Sequence, residues 1–515
     1  MDRSTLHLTE GLTPALGWSL MIGLGLLLLI LANVIKWRLV RTTSDYIISG
    51  RRVGLGFGVG AVISVWTWAM AVMMSSGMTY QWGLSGLFWF VVPNGFAVMA
   101  MVPLGRILKK KMPTGYTISQ FAFKRFGNSQ VAAGVTTLTM IFGILLEILI
   151  NLKGTSIVMS TVFGIDWKVA VLATVVIVLA YSYFGGLWTS MMTGTMNTFA
   201  ITVLAGMIVV TVFQAIPGQA TAVLSAVQAH DPEALSVIGP SNWAAASGFG
   251  ITLAFGLLAA VVADQTFWQK VWAIRPSHVN RIFLLGGALF YPIPICLGML
   301  GLVGIAYGLT LKDFPMGDII AVGPYVVSHI GLPLALVLVY VLVILAACYS
   351  VIDGGSSAMS SVVAVDIVKR YAPRTGERAL FIITRIAMLL GGIIAAIIVL
   401  SGADFTTLVL TTYALKTSIL IPLTLAIIWP RTTTVGFVGG IVLSILIGMP
   451  LRHVYGELWG TLSILAISAI VCVGASMFSS KRFNMDSLAH VEDEIAVGGE
   501  SGSSMPSGVM AKLPA

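Results

Sequence analysis

Four ionisable residues lie in the middle of long apolar runs of the sequence: Glu147, Asp264, Asp353 and Lys416. A charge at the centre of a bilayer is costly, so such residues pair with one another or take part in transport. We expect Lys416 to pair with an acid, most simply Glu147, and a pair that only fixes helix register is as good an explanation as solute contact. Lys153 follows Glu147 by six residues, which does not place the two on one helix face. These five residues are the candidates for ion coupling or charge pairing.

Hydroxyl groups form a second set. The stretch 61–83, AVISVWTWAMAVMMSSGMTYQWG, is apolar but interrupted by small and polar residues, which predicts a broken transmembrane helix. Unwound carbonyls in such helices can bind ions and solute at the midplane. Ser350 lies about 25 Å into its own apolar run at 1.5 Å per residue. Its hydroxyl, facing the carbonyls of Ser64 and Thr67, would form a small oxygen cage for a hard cation. Helix packing through Ser and Gly explains the same residues.

A binding pocket for a solute is predicted near the two interrupted helices. The run 249–275 is polar at its centre, where Asp264 and Gln265 stand. Aromatic residues flank the first break and could line a pocket for a small planar or polar solute, although most membrane aromatics serve packing. The aromatic residues are Trp66, Trp68, Tyr80, Trp82, Phe88, Trp89 and Phe90. We take Asp264, Gln265, Trp89 and Phe90 as the substrate-binding candidates.

The composition indicates an all-α polytopic membrane protein. The 515 residues are 57% hydrophobic and 10% charged, with a mean hydropathy of +0.96, whereas soluble domains are roughly 25% charged. Apolar runs of about 20 residues predict about thirteen spans. The three cysteines all lie in apolar segments, so neither a disulfide framework nor a metal cluster is indicated.

The spans divide the chain into six predicted regions. Two blocks of five spans each have an odd number of crossings, so their orientations are opposite, and inverted repeats of this kind are typical of secondary transporters. We expect a broken first helix in each repeat. The regions are an extracellular N-terminus with an extra helix and a cytoplasmic loop (1–57), the first repeat (58–215), an extracellular loop (216–248), the second repeat (249–429), two C-terminal helices (430–478) and a disordered cytoplasmic tail (479–515).

The distribution of Lys and Arg predicts the orientation. Most of the 29 basic residues fall on one side of the predicted spans, which places the N-terminus outside and the C-terminus in the cytoplasm of a multi-pass cell-membrane protein. We expect Lys270 to extend to the cytoplasmic surface. This asymmetry explains the net charge of +9 without a nucleic-acid partner. No soluble domain interrupts the spans and no GxxxxGK[ST] motif occurs, which argues against a sensor kinase and an ATP-driven pump.

Several motifs resemble the sodium:solute symporter family, whose fold is the LeuT-type five-plus-five inverted repeat. The motifs are SDYIISGRRVG (44–54), YSYFGGLWTS (181–190), DQTFWQKVWA (264–273) and YSVIDGGSSAMSSVVAVDIVK (349–369). Within the family, the segment 62–90, VISVWTWAMAVMMSSGMTYQWGLSGLFWF, is most similar to the active urea transporter branch. The resemblance runs from about residue 44 to residue 431.

The resemblance implies a sodium site and points to two departures from it. The ligands would be the backbone oxygens of Ser64, Thr67 and Ala347 with the hydroxyl of Ser350. The residue after Ser350, usually a second hydroxyl ligand, is Val351. Where the family carries an acid after the Gly-Gly-Leu turn, this chain has Gly194. The urea branch lacks that acid too. These departures leave open whether transport depends on sodium.

Three charged positions also bear on what the resemblance implies. Asp264 falls where sugar-transporting relatives contact substrate, and Asp353 matches an acid found in some branches of the family. Lys416 falls where the urea branch is apolar, which leaves the identity of the solute open.

We therefore expect a cation-coupled symporter, with sodium as the cation, that imports a small polar solute such as urea or a urea-like compound. It would be a transporter rather than an enzyme, with no organic cofactor and no indicated partner protein. One alternative is the same fold carrying a small carboxylate, with Lys416 or Lys153 as counter-charge. Another is proton coupling through Glu147, Asp264 or Asp353. A passive channel and a transporter-like receptor are the alternatives from other classes.

Overall fold

The computed structural model describes residues 1–40, 42–402, 405–480, 482–491 and 493, and these residues are almost entirely helical. The first helices are α1 (Pro14–Leu39), α2 (Thr43–Ile48), α3 (Leu55–Trp66), α4 (Ser75–Met99), α5 (Met101–Lys111), α6 (Ile118–Arg125), α7 (Gln130–Phe163), α8 (Trp167–Ala215), α9 (Gln219–His230) and α10 (Pro240–Ala245). The others are α11 (Ile251–Ala263), α12 (Gln265–Ala273), α13 (Val279–Phe290), α14 (Pro292–Gly298), α15 (Leu300–Ala306), α16 (Val322–His329), α17 (Leu334–Val362), α18 (Glu377–Leu400), α19 (Phe405–Ile428), α20 (Thr434–Tyr455) and α21 (Glu457–Met477). Strand pairing in the described part is confined to two isolated bridges, His7 with Ile330 and Val53 with Ile274.

Twelve helices among the described residues are long and apolar enough to cross a membrane, where the sequence predicted about thirteen. The difference lies where the sequence predicted two separate spans, 58–82 and 84–105. The first part of this region, α3, has only 12 residues, and the helical chain that follows runs on from Ala71 to Lys111. Within that run, Gly83 has φ 60° and ψ −151°, so a sharp bend stands where the sequence predicted the boundary between two spans.

Both helices that were predicted to be interrupted are broken. In the first, α3 ends at Thr67, whose φ of −85° and ψ of 74° are not helical, and a π-helical turn (Met70–Met74) leads into α4. In the second, Asp264 has extended backbone angles between α11 and α12. Each break frees backbone groups that need partners inside the bilayer, and those partners define the centre of the molecule. The inverted-repeat relation between the two blocks stays a prediction.

The terminal segments fix which loops share a side of the membrane. Arg3 donates to the carbonyl of Tyr307 at 3.0 Å and pairs with Asp313. At the other end, Asp486 pairs with Lys111. Both groupings agree with the predicted sides, while the orientation itself stays a prediction.

The predicted disorder of residues 479–515 is wrong for the stretch that precedes residue 491. A short 3₁₀ helix (Met485–His490) lies there, and Thr114 donates to the carbonyl of Val491 at 2.6 Å. These contacts with the α5–α6 connection hold the segment in place. Residues 481, 492 and 494–515 lie outside the described residues.

Candidate functional site

A buried ion triad joins three parts of the chain. The Lys416 ammonium of α19 donates to Glu147 Oε1 of α7 at 2.5 Å and to Asp264 Oδ2, between α11 and α12, at 3.1 Å. All three side chains are at most 2% exposed. The sequence predicted an acidic partner for Lys416, most simply Glu147, and the structure brings both Glu147 and Asp264 to it. Two carboxylates and one ammonium leave the triad with one excess negative charge when all are ionised.

The second break owes its shape to Asp264. One carboxylate oxygen, Oδ1, accepts a hydrogen bond from the backbone N–H of Thr266 at 2.8 Å and so caps the start of α12. Aspartate is a favoured N-cap residue because its oxygen satisfies a backbone donor that has no partner inside the helix. The other oxygen binds Lys416. One side chain therefore both starts the helix and carries charge into the centre of the protein.

The first break is satisfied by a neutral side chain that sequence reasoning missed. Asn151 of α7 is fully buried and accepts a hydrogen bond from the backbone N–H of Ala69 at 2.8 Å through Oδ1. Its Nδ2 donates to the carbonyl of Glu147 one turn earlier at 2.8 Å. The signal in the sequence was an amide side chain near the middle of a span, one turn from Glu147.

A small aromatic cavity adjoins the first break. It is lined by Trp66, Trp68, Ala71, Asn94 and Tyr413 and has a free volume of about 10 Å³, close to what one water needs. The indole N–H groups of Trp66 and Trp68 donate to the carbonyls of Asn94 and Val65. Three of the five lining residues are therefore aromatic, and both indole N–H groups are already hydrogen-bonded.

The cavity and the triad touch. The Lys416 ammonium lies 5.5 Å from the centre of the Trp68 ring, within the range of a cation–π contact. Tyr413, a cavity residue, precedes Lys416 by three positions on α19, so the two share a helix face. That spacing could have identified Tyr413 from the sequence once Lys416 was assigned to the site. A change at the triad can reach the cavity directly.

None of the four predicted substrate-binding residues is among the residues that line this cavity, and Asp264 belongs to the triad instead. Trp89 packs its ring against the backbone of Gly250. Phe90 is fully buried, and its carbonyl accepts from the Asn94 side chain. Gln265 donates to the carbonyl of Tyr116 at 2.8 Å and accepts from the N–H of Ile118 at 3.2 Å, so it holds the α5–α6 connection.

The residues of the predicted sodium cage lie on α3 and α17, and α8 contacts both. A side-chain atom added at Gly194 of α8 would come within 2.7 Å of Ser64 Oγ. Asn197 of α8 donates to Ser350 Oγ at 2.6 Å and to the carbonyl of Ala346 at 3.2 Å. The hydroxyl of Thr67 donates to Ile63 within α3. An amide N–H group therefore occupies the Ser350 oxygen that was predicted to bind a cation, while Ala347 is fully buried beside it.

The other predicted charges lie outside the triad. Asp353 is buried and accepts a hydrogen bond from Ser182 of α8 at 2.5 Å, and its second oxygen is buried without a hydrogen bond. Lys153 is buried with its ammonium 5.0 Å from the centre of the Trp167 ring. The prediction that Lys270 extends to the surface is wrong: it is 1% exposed and donates to the carbonyl of Thr266 at 3.2 Å, because α12 lies inside the bundle.

The fold and this site define a multi-pass membrane protein with two broken helices around a charged centre. The sodium:solute symporter family matches residues 46–443. The chain therefore belongs to that family.

Relatives and a solved structure agree with this assignment. The urea-proton symporter DUR3 of Oryza sativa subsp. japonica is 24% identical over 480 residues, covering 85% of this chain and 65% of that protein. A probable urea active transporter 1 of Schizosaccharomyces pombe is 28% identical over 404 residues, covering 72% and 59%. The chain thus spans roughly three fifths of the length of these relatives. A Na⁺-coupled sialic acid symporter of known structure has a TM-score of 0.74 at 16% identity, covering 91% of this chain and 99% of that one, which shows the fold.

Proposed function

We propose that the protein is a cation-coupled symporter that carries a small, polar, uncharged solute such as urea across the membrane by alternating access. The observation that carries this proposal is the aromatic cavity beside the first break. Aromatic rings suit a flat, small solute, and the freed backbone of a broken helix supplies hydrogen-bonding groups at the same depth. The cavity has a free volume of only about 10 Å³, so the side chains around it must move before a solute can bind.

The solute class follows from charge and from the relatives. Lys416 already faces two carboxylates, so the centre repels a second anion, and a small carboxylate is a poorer candidate than a neutral solute. The rice and fission-yeast relatives are named as urea transporters. Urea is therefore the first solute to test.

The coupling cation is either sodium or a proton. Membership of the sodium:solute symporter family favours sodium, which Ser64, Thr67, Ala347 and Ser350 would bind. The name of the rice relative favours a proton. Either ion would couple to the solute by binding one access state better than the other.

Uptake by reconstituted protein tests this function. Proteoliposomes receive labelled urea under an inward sodium gradient, an inward proton gradient or no gradient, and protein-free liposomes serve as the control. A symporter concentrates urea above the external level only with a gradient. Equilibration at the same rate with and without a gradient would indicate a channel, and no protein-dependent uptake would exclude urea.

A further inference from the structure

The excess negative charge of the triad has a chemical consequence. We propose that the coupling ion is a proton, which binds Glu147 at Oε2 in the triad with Asp264 and Lys416. This inference rests on the proposed symport and names its ion. In the binding step a proton from the aqueous phase on one side forms an O–H bond on the carboxylate. In the release step that bond breaks and the proton leaves to the other side.

The oxygen inventory of the triad favours a proton over a metal ion. Glu147 Oε1 and Asp264 Oδ2 both accept from Lys416, and Asp264 Oδ1 caps α12. Glu147 Oε2 is buried and has no hydrogen-bond partner. A hard metal cation needs several oxygen ligands at once, whereas a proton needs a single lone pair. One unengaged oxygen therefore fits a proton.

The groups that face the triad leave the charge balance unchanged. Tyr413 from α19 is neutral. Lys270 of α12 interacts electrostatically with Asp264, and also with Asp353 of α17. Lys270 and Asp353 are the more distant groups, and their charges are opposite in sign. Where α17 packs on α7, it presents Gly355 to Ile144 and Ile148. A buried charge without compensation is costly in a membrane, and a proton bound at Glu147 Oε2 would remove the excess charge of the triad.

Proton binding acts on the solute cavity through Lys416. A neutral Glu147 attracts the ammonium less, which leaves Asp264 as its ionised partner. The stem of Lys416 borders a cavity of about 280 Å³ between α7, α19 and α20, and Gly143 leaves room beside its Cε atom. The ammonium can therefore shift relative to Trp68, which lines the solute cavity.

The test compares Glu147→Gln with wild type in two independent measurements. The first is the carboxylic-acid infrared band of the purified protein followed with pH, which needs no solute. We expect a band that titrates in wild type and is lost in Glu147→Gln. The second is urea uptake driven by an acidic exterior, in which we expect Glu147→Gln to equilibrate urea without concentrating it. The variant keeps one carboxylate for one ammonium, so its abundance and Tm should stay close to wild type.

The matched control is Glu457→Gln, which removes an acid from an ion pair with Arg452 at 2.5 Å outside the triad. It should keep both the infrared band and acid-driven accumulation. The inference is overturned if the titrating band persists in Glu147→Gln, or if that variant still concentrates urea under a proton gradient. A wild-type protein that titrates as expected but does not move urea would instead refute the proposed solute and leave the proton site standing.

Discussion

The two broken helices solve the same problem with different chemistry. At the first break, the backbone N–H of Ala69 is satisfied by Asn151, a neutral amide supplied by α7. At the second, Asp264 caps α12 with its own carboxylate and brings a charge that Lys416 of α19 must balance. The first break is satisfied by one hydrogen bond to a side chain of another helix. The second break depends on a balance of charges that proton binding can alter.

α7 links the two breaks. Asn151 and Glu147 stand one turn apart on this helix, and Asn151 donates to the Glu147 carbonyl. One residue contacts the first break and the other binds the lysine that contacts the second. A change in ionisation at Glu147 therefore occurs on the element that also holds the break beside the solute cavity.

The largest expected effect comes from removing the central cation. Lys416→Met leaves two buried carboxylates unpaired, and removal of one partner from a buried ion pair typically costs about 3 to 5 kcal/mol. We expect a strong fall in folded protein, measured as the monodisperse fraction and Tm in detergent. Adding Glu147→Gln to Lys416→Met should restore part of it. Lys312→Met, in the exposed 3₁₀ turn Leu311–Asp313, is the control, and a fully abundant and active Lys416→Met protein would contradict the triad.

Asn151→Ala tests the first break. It leaves the buried N–H of Ala69 without an acceptor, which costs about 1 to 3 kcal/mol, and it should lower both Tm and urea uptake. Asn33→Ala is the matched control, because Asn33 makes the same kind of bond to a carbonyl four residues earlier, at 2.9 Å, on an exposed helix face. Equal effects of the two substitutions would show that the bond to Ala69 does not matter.

Substitutions at Asp264 separate its role as a helix cap from its role as a charged partner of Lys416. Asn is a good N-cap and Ala is not, a difference of about 1 kcal/mol. Asp264→Asn should therefore be more stable than Asp264→Ala, while both lose the charge facing Lys416. Thermal unfolding measures the difference, and Asp166→Ala, which removes the cap of α8, calibrates the cap alone. Identical Tm values for the two Asp264 variants would rule out the capping role.

The smallest effect is expected at Ser350. Ser350→Ala removes the acceptor of one hydrogen bond from Asn197, a loss of about 1 kcal/mol. Under proton coupling, urea uptake should keep its pH dependence and stay insensitive to sodium. If wild-type uptake instead requires sodium and Ser350→Ala raises the half-saturating sodium concentration, then the oxygen cage binds sodium and the proton account fails.

The residues of the charged centre could be predicted from the sequence more completely than the residues that line the aromatic cavity. A charge in the middle of an apolar run can be recognised from that segment alone. Because an unpaired charge inside the bilayer costs free energy, Lys416 could be predicted to meet an acid. Gln265 stands at a predicted break, but which way it faces depends on how α12 packs against Tyr116 and Ile118. Asn94 joins Trp66 in one cavity only through helix packing, which no local pattern encodes.

The most direct test of proton-coupled symport measures urea and internal pH in the same wild-type proteoliposomes. The proton account predicts that adding external urea without a preset gradient acidifies the interior as urea enters, with one proton per urea. Protein-free liposomes and the Glu147→Gln variant should show no acidification. Urea entry through the wild-type protein without any change in internal pH would contradict the account.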